Sequence, residues 1–133
     1  MPNNLKVTLD KSTNPWCLDI DQKDNANHVS QGPNAQTITW QLNGQAASGS
    51  FDSQGSAEPG FAWVSNPAPP AGIFGDPVLC SNNNEMTMSD LNNSASTAGD
   101  WIYQLSATID GVVYQSKKTS TTATNTNPTI KNT

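Results

Sequence analysis

Three carboxylates in a short polar stretch are the first residues here that could bind an ion. Asp19, Asp21 and Asp24 lie within six residues of one another, and carboxylate oxygens are ligands that calcium prefers. The stretch lacks the central glycine and final glutamate of a helix–loop–helix calcium motif. We therefore weigh a calcium site against the water-facing side of a strand that runs into an Asx-rich turn.

Aromatic residues in the middle of the chain form a second candidate site. Phe61 and Trp63 share one side of a short apolar run, and Phe74 follows in a Pro/Gly-rich loop. If exposed, these three side chains could stack against sugar rings or anchor a protein interface. The alternative, which we favour, is that they cover one end of the core under a long loop.

Residue types needed for catalysis are sparse. The single histidine, His28, lies in a polar stretch, and no G-x-S-x-G motif is present. No cluster of cysteine and histidine suggests zinc. We therefore predict a protein that is not an enzyme and has no cofactor. Cys17 and Cys80 are compatible with one disulfide or with two free thiols.

The composition limits the range of partners. The chain has 133 residues, enough for one domain spanning residues 1–133, and its net charge is −5. All of its basic residues are lysines. An acidic chain without arginine disfavours binding to nucleic acid or to anionic membranes. The sequence contains no apolar run typical of a signal peptide or a membrane span, so the compartment is unknown and cytoplasmic by default.

Apolar residues that alternate with polar ones predict an all-β fold. This alternation places Trp16, Trp40 and Trp101 on core-facing sides of their strands. Short strands are predicted around Leu5–Leu9, Trp16–Ile20, Ile38–Leu42, Phe61–Val64 and Glu85–Ser89. Thr and Ser, which suit strands and turns, are abundant throughout.

The strongest local signal is a hairpin in the second half of the chain. Residues 100–109 alternate over their whole length, and Asp110-Gly111 suits the positive φ angles of a type I′ turn. Residues 112–116 are then predicted to return as the partner strand. The remaining residues, 117–133, are predicted to be a flexible tail or to contribute an edge strand at Thr129–Lys131.

Two of these segments resemble the immunoglobulin-like β-sandwich superfamily. Ile38-Thr39-Trp40-Gln41-Leu42 is similar to its C strand, where a tryptophan packs in the core, and residues 86–103 are similar to its E and F strands. Gly99-Asp100-Trp101-Ile102-Tyr103 resembles the G-x-W-x-Y run of bacterial immunoglobulin-like modules. Glu58-Pro59 and Asp76-Pro77 resemble a small bacterial family called DP-EP, whose activity is uncharacterised.

The resemblance implies an antiparallel sandwich of about seven to nine strands. The inter-sheet disulfide of antibody domains is absent, because Trp101 and Tyr103 stand where its F-strand pattern has a tyrosine and a cysteine. We predict a non-catalytic domain that makes protein–protein contacts, with an unknown partner or with itself. The alternative is a carbohydrate-binding module that uses an exposed aromatic platform to bind a polysaccharide.

Overall fold

The computed structural model describes residues 3–12, 16–21, 26–55, 57, 59–64, 68–80, 83–116 and 128–133. Within these ranges the fold is all-β, as predicted, with two single-turn 3-10 segments at Gly44–Ala46 and Ala95–Thr97. No helix there is long and apolar enough to cross a membrane. The strands are β1 Asn4–Asp10, β2 Cys17–Ile20, β3 His28–Val29, β4 Gln36–Leu42, β5 Ser50–Phe51, β6 Phe61–Trp63, β7 Val78–Cys80, β8 Glu85–Asp90, β9 Gly99–Ile109, β10 Val112–Gln115 and β11 Thr129–Asn132.

The first sheet has five strands in the order β2-β1-β4-β8-β7. β1 pairs with β4 in parallel, with Leu5 opposite Trp40, while the other pairs in this sheet are antiparallel. The expectation of a purely antiparallel fold is therefore wrong. A parallel pair needs a long connection, which the residues between β1 and β4 provide.

The second sheet is built around β9, its longest strand. One edge of β9 pairs with β11 near Trp101 and with β10 near Ala107. Its other edge pairs with β6 at Leu105 and with β5 at Ala107. The short strands β3, β5 and β7, which alternation did not predict, bring the described total to eleven instead of seven to nine.

The C-terminal strand β11 has neighbours on both sides. It pairs antiparallel with β9 and parallel with β3, and Ile130 at its centre is fully buried. The predicted strand at Thr129–Lys131 is therefore confirmed as part of β11, whereas its edge position and the alternative of a flexible tail are wrong for residues 128–133. Four residues with one aliphatic side chain carry too little pattern to reveal an interior strand. Residues 117–127 of that prediction lie outside the described ranges.

The two sheets share one hydrophobic core, and Trp40 lies at its centre. The Trp40 indole is fully buried, and its Nε1 donates to the Tyr103 hydroxyl at 2.9 Å. The ring of Phe61 stacks on that of Tyr103 with centroids 5.2 Å apart. Burial raises the pKa of Tyr103 above its ordinary value, so the hydroxyl that accepts this bond stays neutral. These contacts join β4 of the first sheet to β6 and β9 of the second.

Three local predictions, for the hairpin, Trp16 and Trp101, have different outcomes. The hairpin is confirmed, because Asp110 and Gly111 have φ angles of 52° and 79°, as a type I′ turn requires. Burial of Trp16 is wrong, since β2 begins at Cys17 and 43% of Trp16 is exposed. Trp101 is half-buried, whereas the residues that follow it in the same phase, Tyr103 and Leu105, are buried as predicted.

Neither cysteine forms a disulfide, and the fold explains why. Cys17 lies in β2 and Cys80 in β7, at opposite edges of the five-stranded sheet. Four strand spacings separate them by roughly 19 Å, whereas a disulfide requires Cα atoms within about 7 Å. We expect a thiol reagent to label two cysteines per chain when the protein is denatured without reductant. Mass spectrometry that finds no labelled cysteine would contradict this topology.

Candidate functional site

An aromatic pair covers one of the two open sides between the sheets. Leu18 of β2 makes a parallel bridge to Ser116, just after β10, so the edges of the two sheets meet there. Two residues earlier on each segment, Trp16 and Tyr114 stack with centroids 6.3 Å apart and ring planes 18° from parallel. The parallel alignment of these segments therefore sets the two rings side by side.

A further exposed apolar side chain lies on the strand face that carries Tyr114. Val112 shares this face and is 51% exposed. The Lys11 ammonium lies 4.7 Å from the centre of the Trp16 ring, in cation–π geometry. We call this surface the seam patch and define it as Lys11, Trp16, Val112 and Tyr114. Clustered exposed aromatic and aliphatic groups of this kind mark contact surfaces.

The predicted aromatic residues lie at the opposite open side. Trp63 of β6 contacts Phe61 and Phe74, with ring centroids 4.8 Å apart in both cases. Phe74 bridges to Asp90 at the end of β8, so the Trp63–Phe74 contact spans the two sheets. Phe61 is only 4% exposed, which leaves half-buried Trp63 and Phe74 as the accessible part of the set. This arrangement agrees with the interpretation that these rings cover the core.

No match to this chain is found among family models, curated proteins or solved structures.

The predicted calcium ligands are placed only in part. Asp19 in β2 and Asp21 just after it are exposed, whereas Asp24 lies outside the described residues. Buried Ile20 stands between them, so both carboxylates lie on the water-facing side of the strand. Across the described ranges no three His, Cys, Asp or Glu side chains are grouped for a metal. The three-carboxylate site remains a prediction.

His28 lies in the short strand β3 and not in a loop. It is half-buried and stands opposite Lys131 in the parallel pair formed with β11. Within the described residues, no hydrogen bond joins its imidazole to a hydroxyl, thiol or carboxylate of the kind that a catalytic pair requires.

A buried polar network was not predicted from the sequence. Asp90 is fully buried, and its Oδ1 accepts a hydrogen bond from Asn132 Nδ2 at 3.0 Å. Burial raises the pKa of Asp90 to about 6, and the hydrogen bond from Asn132 partly offsets this rise. Asn92, also fully buried, donates to the Val29 carbonyl at 2.8 Å. One sequence signal was available, because Asp90 continues the inward-facing alternation of Met86 and Met88.

A shallow depression on the outer face of the five-stranded sheet is lined by several polar residues, although most of its exposed lining surface is apolar. Its volume is about 210 Å³, and its lining includes Lys6 from β1, Thr39 and Gln41 from β4, and Glu85 from β8. Lys6 stands opposite Gln41, and Gln41 opposite Glu85, so these three side chains form one row across the strands. The row offers ammonium, amide and carboxylate groups for hydrogen bonds to a polar ligand.

Proposed function

We propose that this chain is a non-catalytic immunoglobulin-like domain that contacts another protein through the seam patch. The observation that supports this most directly is the exposure of Trp16 beside Tyr114, with exposed Val112 on the same strand face as Tyr114. Tryptophan and tyrosine are enriched among residues that dominate binding energy. They bury a large apolar area while losing few side-chain rotations.

Support for the immunoglobulin-like assignment comes from three features. The chain forms two sheets around one core, Trp40 lies at the core centre, and a long strand turns through Asp110-Gly111 into its partner. The parallel pairs β1–β4 and β3–β11 depart from the antiparallel pattern that the resemblance implies. The assignment therefore rests on the core and the hairpin and not on strand order.

The seam patch has the chemical character of a protein contact surface. Its centre is aromatic and aliphatic, and Lys11 supplies a cation at the margin. Interfaces combine a desolvated apolar centre with a polar rim in the same way. The partner expected here is a protein surface that offers aliphatic groups to Trp16 and an acidic group to Lys11.

Trp16→Ala is expected to weaken partner binding about thirtyfold, the effect of losing a residue worth about 2 kcal/mol. The tagged domain would be used to capture partners from the lysate of its source cell, and the affinity for the captured partner would then be measured. Sedimentation velocity of the wild type would detect self-association as the alternative form of assembly.

The matched control is Val78→Ala. Val78 is 56% exposed but lies in β7, at the other edge of the first sheet. This variant is expected to bind like the wild type. Equal affinities for wild type, Trp16→Ala and Val78→Ala would exclude the seam patch as the contact surface.

A carbohydrate-binding module is the second candidate, favoured by the near-parallel rings of Trp16 and Tyr114. Aromatic faces on an exposed surface can stack against sugar rings, and the row of Lys6, Gln41 and Glu85 in the depression on the first sheet could bind hydroxyl groups. Capture of a polysaccharide that quenches or shifts Trp16 fluorescence, with no protein retained, would favour this function over protein contact.

A further inference from the structure

Two buried side-chain oxygens, one from Asp90 and one from Asn132, have no hydrogen-bond donor. These atoms are Asp90 Oδ2 and Asn132 Oδ1, and their residues are 0% and 3% exposed. The same two side chains are already joined by the bond from Asn132 Nδ2 to Asp90 Oδ1. Buried acceptors without donors are rare in folded proteins, so this pair requires an explanation.

The orientation of the Asn132 carboxamide is fixed by its surroundings. Its Nδ2 donates to Asp90 Oδ1 and to the Thr97 carbonyl oxygen, both at 3.0 Å. A flipped amide would place Asn132 Oδ1 against these two acceptors and lose both bonds. Asn132 Oδ1 therefore keeps its position and must receive a hydrogen from another group.

The hydroxyl and carboxamide groups nearest this pair already have partners, whereas the buried Trp101 Nε1, whose ring lies over Gly99 opposite Asn132, has none. The Thr97 hydroxyl donates to Asn92 Oδ1 or to the Ser94 carbonyl oxygen, both at 2.8 Å, and Asn92 Nδ2 donates to the Thr133 carbonyl oxygen at 3.1 Å. These bonds engage the nearby hydroxyl and amide donors of the network. The Trp101 indole has one hydrogen and could satisfy one oxygen only, whereas a proton on the Asp90 carboxyl satisfies both oxygens of the pair.

Groups packed against Asp90 on neighbouring strands are uncharged. Gln36 of β4 is its register partner, and Phe74 forms the bridge on its other side. Charged side chains on the same elements point elsewhere: Asp76 is exposed, Glu85 alternates to the outer face of β8, and Lys131 of β11 stands opposite Asp100 and His28. No cation is therefore placed to stabilise an Asp90 carboxylate within the described residues.

We propose that Asp90 binds a proton in the folded protein and donates it from Oδ2 to Asn132 Oδ1. The carboxylate takes up one proton from solvent, and the resulting carboxylic acid and the carboxamide form an eight-membered ring with two hydrogen bonds. One proton thus satisfies both orphaned oxygens. A calcium ion would instead require six to eight oxygen ligands. The ring fastens the end of β8 to the C-terminal strand β11.

This proton makes the stability of the fold depend on pH. Asp90 has a pKa of about 6 in the folded protein, raised by burial, against an ordinary value of 3.8. Near pH 3.8 and below, folded and unfolded chains both hold the proton, and the full stabilisation is present. As the pH rises towards about 6, only the folded chain holds the proton, so the free energy of unfolding falls across this interval. Above about pH 6, Asp90 no longer changes the free energy of unfolding.

Urea unfolding at about pH 4 and about pH 8 tests the proposal with wild type, Asp90→Asn and Asp19→Asn. The carboxamide in Asp90→Asn can form both ring bonds without a proton. We expect the unfolding constant of the wild type to rise about fiftyfold more between these pH values than that of Asp90→Asn. At the higher pH, Asp90→Asn should be more stable than the wild type. Asp19→Asn removes an exposed strand carboxylate and should respond to pH as the wild type does.

An Asp90→Asn variant that is less stable than the wild type at both pH values, with the same pH response, would overturn the proposal. A second measurement follows the side-chain carboxyl carbon of Asp90 by NMR in the folded wild type. A variant is needed only to assign the signal of this carbon. We expect this carbon to show the protonated form at about pH 5, where an ordinary aspartate is ionised. A signal that shows the carboxylate at that pH would overturn the proposal even if Asp90→Asn fails to fold.

Discussion

Trp40→Ala is expected to lower the free energy of unfolding by about 4 kcal/mol. Trp40 is fully buried, its ring contacts Phe61 and Tyr103 at centroid distances of 5.4 Å, and its Nε1 bonds to the Tyr103 hydroxyl. Truncation therefore leaves a cavity between the sheets and removes the hydrogen-bond partner of a buried hydroxyl. Because small domains are stable by only about 5–15 kcal/mol, this loss is a large fraction of the total. Urea denaturation followed by circular dichroism would measure it.

Trp16→Ala is the matched control for this experiment. It deletes the same side chain at a position that is 43% exposed, where its main described contacts are Tyr114 and the Lys11 ammonium. We expect a loss of about 1 kcal/mol or less, typical of an exposed aromatic contact. Equal shifts of the denaturation midpoint in the two variants would contradict the central role given to Trp40.

Gly60→Ala is expected to destabilise the fold by about 3 kcal/mol. A Cβ atom at Gly60 would collide with the Asp52 carbonyl oxygen and lie 3.3 Å from the Asp52 carbonyl carbon. Both segments are fixed to β9, because the Asp52 amide donates to the Ser106 carbonyl and the Ser106 amide donates to the Gly60 carbonyl. Separating the two backbones would therefore weaken bonds to the same residue of the central strand. The shift in denaturation midpoint measures the effect.

Gly55 provides the control within the same loop. A Cβ at Gly55 meets no atom within 4 Å, and its φ is outside the left-handed region. Gly55→Ala should leave stability unchanged or raise it slightly, because alanine restricts the unfolded chain more than glycine does. If Gly55→Ala were as destabilising as Gly60→Ala, flexibility of the loop and not the close contact with Asp52 would be the cause.

The parts of the fold that depend on local pattern could be predicted from the sequence. The hairpin through Asp110-Gly111 follows from the two residues that tolerate positive φ between two alternating strands. Burial of Trp40 follows from its place between Ile38 and Leu42 in one phase of alternation. Both signals are complete within about ten residues, so no knowledge of distant pairing is required.

Features that depend on distant pairing could not be predicted in the same way. Alternation does not specify which strand lies beside which, so the parallel pair of β1 with β4 and the interior place of β11 were missed. Trp16 has the same alternation phase as Leu18, but it lies one residue before β2 begins, where this phase no longer determines burial. Asp90 lies in the inward-facing phase of β8, but a carboxylate for which the sequence shows no partner is expected to be exposed.

The candidate site also combines contacts between residues close in sequence, which could be predicted, with a contact between distant residues, which could not. Phe61, Trp63 and Phe74 are close in sequence, and the structure brings them together as the sequence suggested. The seam patch requires Trp16 and Tyr114 to meet, and only the fold provides that contact. Exposure is also a property of the finished fold. It separates Trp16, whose ring faces solvent, from Phe61, which the same reasoning had offered as part of a binding platform.

The position of β9 has a consequence for how quickly the chain reaches its native state. Of the four strands that pair with β9, only β10 follows it directly, through the Asp110-Gly111 turn. The other three, β5, β6 and β11, come from distant parts of the chain on both sides of it. Each of these pairings closes a large loop before it gains any contacts, which places the fold among slow, high-contact-order topologies. The β9–β10 hairpin is the element that can form first and serve as the template on which the other three strands assemble.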